Sequence, residues 1–229
     1  MGSEREDRAA TGAAGAGAAG TGAAGTGVGT VRPGGRTARV REAVLRAAGD
    51  ALAERGFAHL DLAEVARLAG VGKTTVYRRW GTVTALLADL LADMAEQSLP
   101  RTETGTLLGD LKANAALVRR TLADPRQGAL FKAVIAAATC DEKAADALHR
   151  FYAVRVEEWV PCVHQALARG EIPPGTDPEE VIRAVSAPLY YRLLTTGDTL
   201  DEPSATRAAE AAYEAARAGA YRAAPGTPT

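Results

Sequence analysis

Cysteine is nearly absent. Cys140 and Cys162 are the only two in 229 residues, and their spacing suits neither a metal site nor a redox pair. Both lie in helical-looking sequence, so we expect two small core residues in a reducing cytoplasm. Histidine is as scarce. His59, His149 and His164 stand apart, with no carboxylate or thiol at ligand spacing, and we expect neither a metal nor a cofactor. Aromatics make up only 5% of the chain, which leaves the core to close-packed aliphatic side chains and alanine. No apolar run approaches the roughly 20 residues that span a bilayer. The charged N-terminus is not followed by the apolar stretch of a secretory signal, so a cytoplasmic location is expected. No segment alternates polar and apolar residues over a useful length, which argues against strands. Catalytic groupings are missing too. No Glu-x-x-His motif occurs, no paired carboxylates face one apolar site, and no Ser-His-Asp set assembles, so an enzyme is not expected.

What is present is asymmetric. The net charge is -1, yet Ala38 to Thr82 carries eight basic and five acidic residues, whereas the rest of the chain to the C-terminus is net acidic. A basic N-terminal module on an acidic body suggests that the module meets a polyanion. Ahead of it, AATGAAGAGAAGTGAAGTGVGT (residues 9–30) cannot bury enough apolar surface to offset ordering entropy, and residues 1–36 are expected to be a flexible tail. Val40, Val44, Ala48 and Leu52 then recur every four residues, predicting a helix from Thr37 to Arg55 that stops at Gly56.

Asp61 opens the next helix, Leu62 to Ala69. Its carboxylate can accept a first-turn N–H, and Glu64 is placed to return a bond, a variant of the capping box. Gly70-Val71-Gly72 stops it. A short helix from Lys73 to Trp80 follows, with Val76 and Trp80 on one face, and Gly81-Thr82 precedes a fourth helix through Met94. Five more helices are expected. They are Leu107 to Ala123, Arg126 to Thr139, Lys143 to Arg169 with a kink at Pro161, Pro178 to Thr196, and Ser204 to Arg222. The reading is all-α with about nine helices.

Within this pattern, AGVGKTTVYRRW (Ala69 to Trp80) holds the parts of a phosphate loop, but it is not one. A Walker A loop needs glycine where Arg67 stands, and it follows a strand, whereas DLAEVARLA is a capped helix. The same residues suit a helix-turn-helix. Ala66 is small enough for two helices to cross closely, and Gly70 tolerates the positive φ of a tight turn. Val65, Val71 and Val76 can fill the wedge. The second helix can then lie in a major groove, with Lys73, Thr74, Tyr77 and Arg78 projecting away from Val76 and Trp80.

Gly56-Phe57, DLAEVARLAGV, GKTTVYRRW and the following cap-and-leucine run resemble the DNA-binding domain of tetracycline-repressor-type (TetR) transcriptional regulators. LLADPRQGALFKAVIA and SAPLYYRLLTTGDTLDEP extend the resemblance through the body. It implies a three-helix DNA-binding domain at 37–82, a helical ligand-binding and dimerisation domain at 83–223, and a flexible end at 224–229. It also implies a regulator, in most relatives a repressor, that binds a palindromic double-stranded operator as a homodimer and is released by a small-molecule effector. Under the resemblance Lys73, Thr74, Thr75, Tyr77, Arg78, Arg79 and Thr82 contact DNA. Asp61, Ala66, Gly70, Val71, Val76 and Trp80 shape the helix-turn-helix, with Trp80 as a plug against the fourth helix. Two positions depart from the family pattern. Val83 replaces a phosphate-gripping lysine, and Ala63 is too short to read a base. The alternative is therefore a dimeric helical interaction module with weakened or no DNA binding.

In the body, Val181, Ile182, Val185, Leu189, Leu193 and Leu194 are apolar around their helix. Ala208, Ala211, Ala212, Ala215, Ala216 and Ala220 give the last helix a small-residue face. These two helices are expected to form the dimer interface. Phe131, Trp159, Tyr190 and Tyr191, bulky among alanines, are candidates to line an effector pocket for an apolar or weakly polar molecule.

Overall fold

The computed structural model describes residues 33–97 and 101–222. Most of the expected tail, and the C-terminal residues 224–229, lie outside them. Among the described residues there are nine α-helices and no strand, apart from an isolated bridge between Thr176 and Arg222. α1 (Pro33–Arg55), α2 (Leu62–Leu68) and α3 (Lys73–Trp80) form the N-terminal module, with a 3-10 turn at Phe57–His59. α4 (Val83–Glu96), α5 (Leu107–Ala123), α6 (Pro125–Ala138), α7 (Glu142–Arg169), α8 (Pro178–Tyr191) and α9 (Glu202–Arg217) form the body.

Local chemistry sets most boundaries. Thr82, Thr106, Asp124, Asp141, Asp177 and Asp201 each accept a first-turn N–H, opening α4 through α9. α1 begins four residues before the expected Thr37, and the Arg39 guanidinium bonds back to the Gly35 carbonyl at 3.1 Å. α7 continues through Pro161 as one helix. α8 does not remain α-helical to Thr196 as expected. Pro188 supplies no N–H, and Arg192–Thr196 relaxes into a π-turn closed by Gly197 N–H on the Arg192 carbonyl at 3.0 Å. α9 ends at Arg217, short of Arg222, with Gly219 in the left-handed region at φ 78°.

The core is continuous. Val44, Leu45, Leu52, Val65, Val76, Leu86 and Leu87 close the module against α4, each at most 2% exposed. Each such side chain contributes about 1.5–3 kcal/mol relative to exposure. In the body α9 lies along α5 and α8. That placement corrects the expected alanine face. Ala208, Ala212 and Ala216 are buried inside the protomer, while Ala211 and Ala220 are exposed. Val181, Ile182, Val185 and Leu189 are likewise buried within the protomer. Cys162 is buried, and burial pushes its thiol up to about 12, but Cys140 is exposed at the end of α6 and is not the core residue expected.

Candidate functional site

The site begins with a corner. Asp61 Oδ2 accepts the Glu64 N–H at 3.2 Å and starts α2. The expected return bond from Glu64 is not made. Arg67 takes that carboxylate at 2.7 and 2.8 Å, and Arg55 stands 3.5 Å away. Chiefly through Arg67, the Glu64 carboxyl is held down at about 2. Gly70 sits at φ 65°, and Val71 N–H donates to the Ala66 carbonyl at 2.9 Å, turning the chain sharply after α2. Any other L-residue there costs about 1–2 kcal/mol. Val65 and Ala66 are fully buried at the crossing, and Val71 is half-buried over it.

The corner fixes which face of α3 looks outward. Val76 is fully buried and Trp80 is 8% exposed, so the residues between them face solvent. Lys73, Thr74, Arg78 and Arg79 are exposed, Thr75 is half-buried, and Tyr77 is 47% exposed. α3 also differs from its neighbours at its N-terminus. Among α2 through α9 it alone has no capping side chain, its N-cap being Gly72. The positive end of the helix, beside Lys73, therefore offers uncapped backbone N–H groups. Thr82 Oγ1 accepts from Ala85 N–H at 3.1 Å, so its own O–H remains to donate. Val83 packs half-buried against the core, and Ala63 is half-buried on α2.

Trp80 joins α3 to α4. Its indole N–H donates to Asp89 Oδ2 at 2.9 Å, and Arg41 of α1 bridges Asp89 at 2.7 Å and Asp93 at 2.5 Å. Burial pushes the Asp89 carboxyl up, but Arg41 and the Trp80 indole together outweigh it and hold it below the ordinary range. The Arg79 guanidinium lies over the Trp80 ring, 5.2 Å from its centroid. Sequence reasoning missed Arg41, Asp89 and Asp93. Each lies among ordinary surface charges in the chain, and only the packing of α1 on α4 assembles them.

A second feature lies in the body. A cavity of about 350 Å³ opens between α4, α5, α6, α7 and α8, and Phe131, Trp159 and Tyr190 line it. Tyr191 does not. It is 59% exposed on the outer side of α8. Phe131 packs on Phe151 at 5.6 Å and edge-on to Tyr190 at 6.2 Å, while Tyr152 meets Tyr190 at 5.5 Å. Burial pushes the Tyr190 phenol up to about 12 and raises that of Tyr152 as well, so both remain neutral near neutral pH. Asn114 and Gln127 also line the cavity. Neither was singled out in the sequence, where an amide on a helix carries no pattern. Among the described residues no His, Cys, Asp or Glu cluster could hold a metal, and no helix is long and apolar enough to cross a membrane.

Comparison with known proteins agrees with this architecture. Residues 44–90 match the family of bacterial regulatory proteins of the tetR type, and residues 101–212 match the tetracyclin repressor-like C-terminal domain. The HTH-type transcriptional regulator YdeS of Bacillus subtilis is 32% identical over 168 residues, covering 73% of this chain and 84% of YdeS. The DNA-binding transcriptional repressor TetR of Mycobacteroides abscessus is 32% identical over 162 residues, covering 70% and 84%. The solved structure of Salmonella enterica GusR shares the fold, with a TM-score of 0.66 at 22% identity, covering 77% of this chain and 95% of GusR. The chain belongs to the TetR family and is a helix-turn-helix, DNA-binding regulator of transcription.

Proposed function

We propose that the protein represses transcription by seating two copies of α3 in successive major grooves of a palindromic operator. The two recognition helices of such a dimer stand about 34 Å apart, one turn of DNA. The observation that carries this reading is the outward face of α3. A tyrosine at 47% exposure, near Lys73, Thr74 and Arg78, has no hydrogen-bond partner among the described residues, whereas Val76 and Trp80 of the same helix are buried. Lys73 and Thr74 lie at the uncapped end, where phosphate or base edges are met first. Tyr77 offers a phosphate its hydroxyl, and Arg78 is free to reach the backbone or a guanine edge. Thr75, half-buried, supports the first turn. Thr82 donates its remaining O–H to phosphate, and Arg79 clamps phosphate from over the Trp80 ring.

Dimerisation is assigned to the outer face of α8 and α9. Ala187, Pro188, Tyr191 and Leu194 recur at helical spacing along α8 and the π-turn that continues it, all exposed in the protomer, and Ala211 of α9 is exposed as well. The cavity between α4 and α8 is assigned to a small-molecule effector whose binding moves α4 and α6, and with them the two DNA-binding modules. The test is protection of the DNA upstream of the protein's own gene. A protected two-fold site supports the reading; uniform, sequence-independent binding refutes it in favour of a helical module with no operator.

A further inference from the structure

The cavity wall specifies more than volume. Two of the chain's three phenylalanines, one of its two tryptophans and two of its six tyrosines line it, so scarce aromatic surface is concentrated here. The one charged side chain among the lining residues, Arg155, is ion-paired with Glu158 one turn along α7, which leaves no free charge for an ionic ligand. Against this largely apolar, neutral wall stand two orphans. Asn114 is 4% exposed on α5, and its Oδ1 has no hydrogen-bond partner among the described residues; the Gln127 Oε1 atom, on the first turn of α6, is also buried and unpaired among them. A buried amide without partners destabilises the protein that carries it. Each amide holds an acceptor and a donor side by side, and rotation of its terminal torsion exchanges them.

We infer that the cavity takes a neutral, planar aromatic molecule bearing an adjacent hydrogen-bond donor and acceptor, such as an aromatic carboxamide, lactam or hydroxyketone, paired to the Asn114 amide. The inference rests on the reading of this cavity as the effector site. The rings of Phe131 and Tyr190 meet the faces and edges of the ligand. Asn114 pairs with its polar edge, and Gln127 engages a second polar group from α6. An anion must compete with Glu158 for Arg155, and a hydrocarbon leaves both amides unpaired.

The test is calorimetric titration of the full chain with 2-naphthamide, naphthalene and 2-naphthoate at neutral pH. 2-Naphthamide is expected to bind at least about tenfold more tightly than either of the others. Asn114→Leu keeps the volume and removes the amide, and it is expected to erase that preference while naphthalene binds as well or better. Gln127→Leu, closer to the surface, reduces the preference and serves if Asn114→Leu fails to fold. Equal binding of naphthalene, strongest binding of naphthoate, no binding by any probe, or an unchanged preference in the variants overturns the inference. Operator release is read separately. Amide-dependent binding without release supports the ligand chemistry and removes the effector role, whereas release by naphthalene as strong as by the amide supports the effector role and removes the chemistry.

Discussion

Arg126 Nε lies 2.5 Å from Asp50 Oδ1, pairing the first turn of α6 with the C-terminal part of α1 across 76 positions of sequence. The next residue, Gln127, lines the cavity. One helical turn therefore touches both the cavity and the DNA-binding module, as α4 also does where Asp93 pairs with Arg41 and the next residue, Met94, lines the cavity. Both charged side chains are nearly half exposed, 44% and 46%, so the pair orients the two helices more than it stabilises them. A double-mutant cycle with Asp50→Ala and Arg126→Ala is expected to give a coupling of about 0.2–1 kcal/mol, decreasing with salt. A coupling above about 2 kcal/mol in thermal melts contradicts this assignment.

Two helical glycines are expected to respond oppositely to alanine. At Gly49 a Cβ meets the guanidinium end of Arg126 at 3.0 Å, a long side chain that can swing aside, and Leu90 Cδ1 at an ordinary 4.0 Å. Gly49→Ala gains helix propensity, up to about 1 kcal/mol. At Gly128 the Cβ lies 2.5 Å from the Leu122 carbonyl oxygen, a backbone atom that cannot swing away. The overlap, about 1–3 kcal/mol, exceeds the propensity gain, so Gly128→Ala lowers stability. Melting temperatures check both, at about 2–4 °C per kcal/mol for a chain of this size.

The Arg41–Asp89–Trp80 network carries a pH dependence. Asp89 is held below the ordinary aspartate range in the folded protein, so its contribution is complete above the unfolded value of about 3.9 and is lost as pH falls through the folded one. Asp89→Asn keeps the shape and removes the charge. It is expected to cost about 1–2 kcal/mol at pH 6–8 and progressively less below pH 4. Denaturation midpoints that differ equally at pH 7 and pH 3 count against the network.

At the end of α8 and in the π-turn that follows it, Tyr191 and Leu194 are 59% and 45% exposed. A buried charge at the centre of an interface is costly when unpaired. Leu194→Asp is expected to shift the proposed dimer toward monomer at micromolar concentration with little loss of protomer stability. Sedimentation of an unchanged dimer places the interface elsewhere.

Much of this architecture is legible in the chain because its causes are local. Asp61, Gly70 and Thr82 act on backbone within a few residues, and helix spacing separates Val76 and Trp80 from Lys73 and Tyr77. What was missed depends on distant partners. Glu64 is placed for a capping box, yet Arg67 and Arg55 compete for its carboxylate and win. The alanines of α9 announce close packing but not its partner, which is α5 and α8 of the same protomer. Cys140 shares the composition of its buried neighbours and falls where α6 ends. Asn114 and Gln127 gain meaning only once five helices surround them.

The most direct measurement is fluorescence anisotropy of the full chain on its protected upstream DNA, compared with Lys73→Ala and Tyr77→Ala over a range of salt. The wild type is expected to bind with a log–log salt slope of several units, and each variant to weaken binding by about tenfold or more, with the Lys73→Ala slope shallower by about one. Both variants should keep the wild-type oligomeric state and melting, since both side chains are exposed. Operator affinity unaltered in both variants contradicts the placement of α3 in the groove.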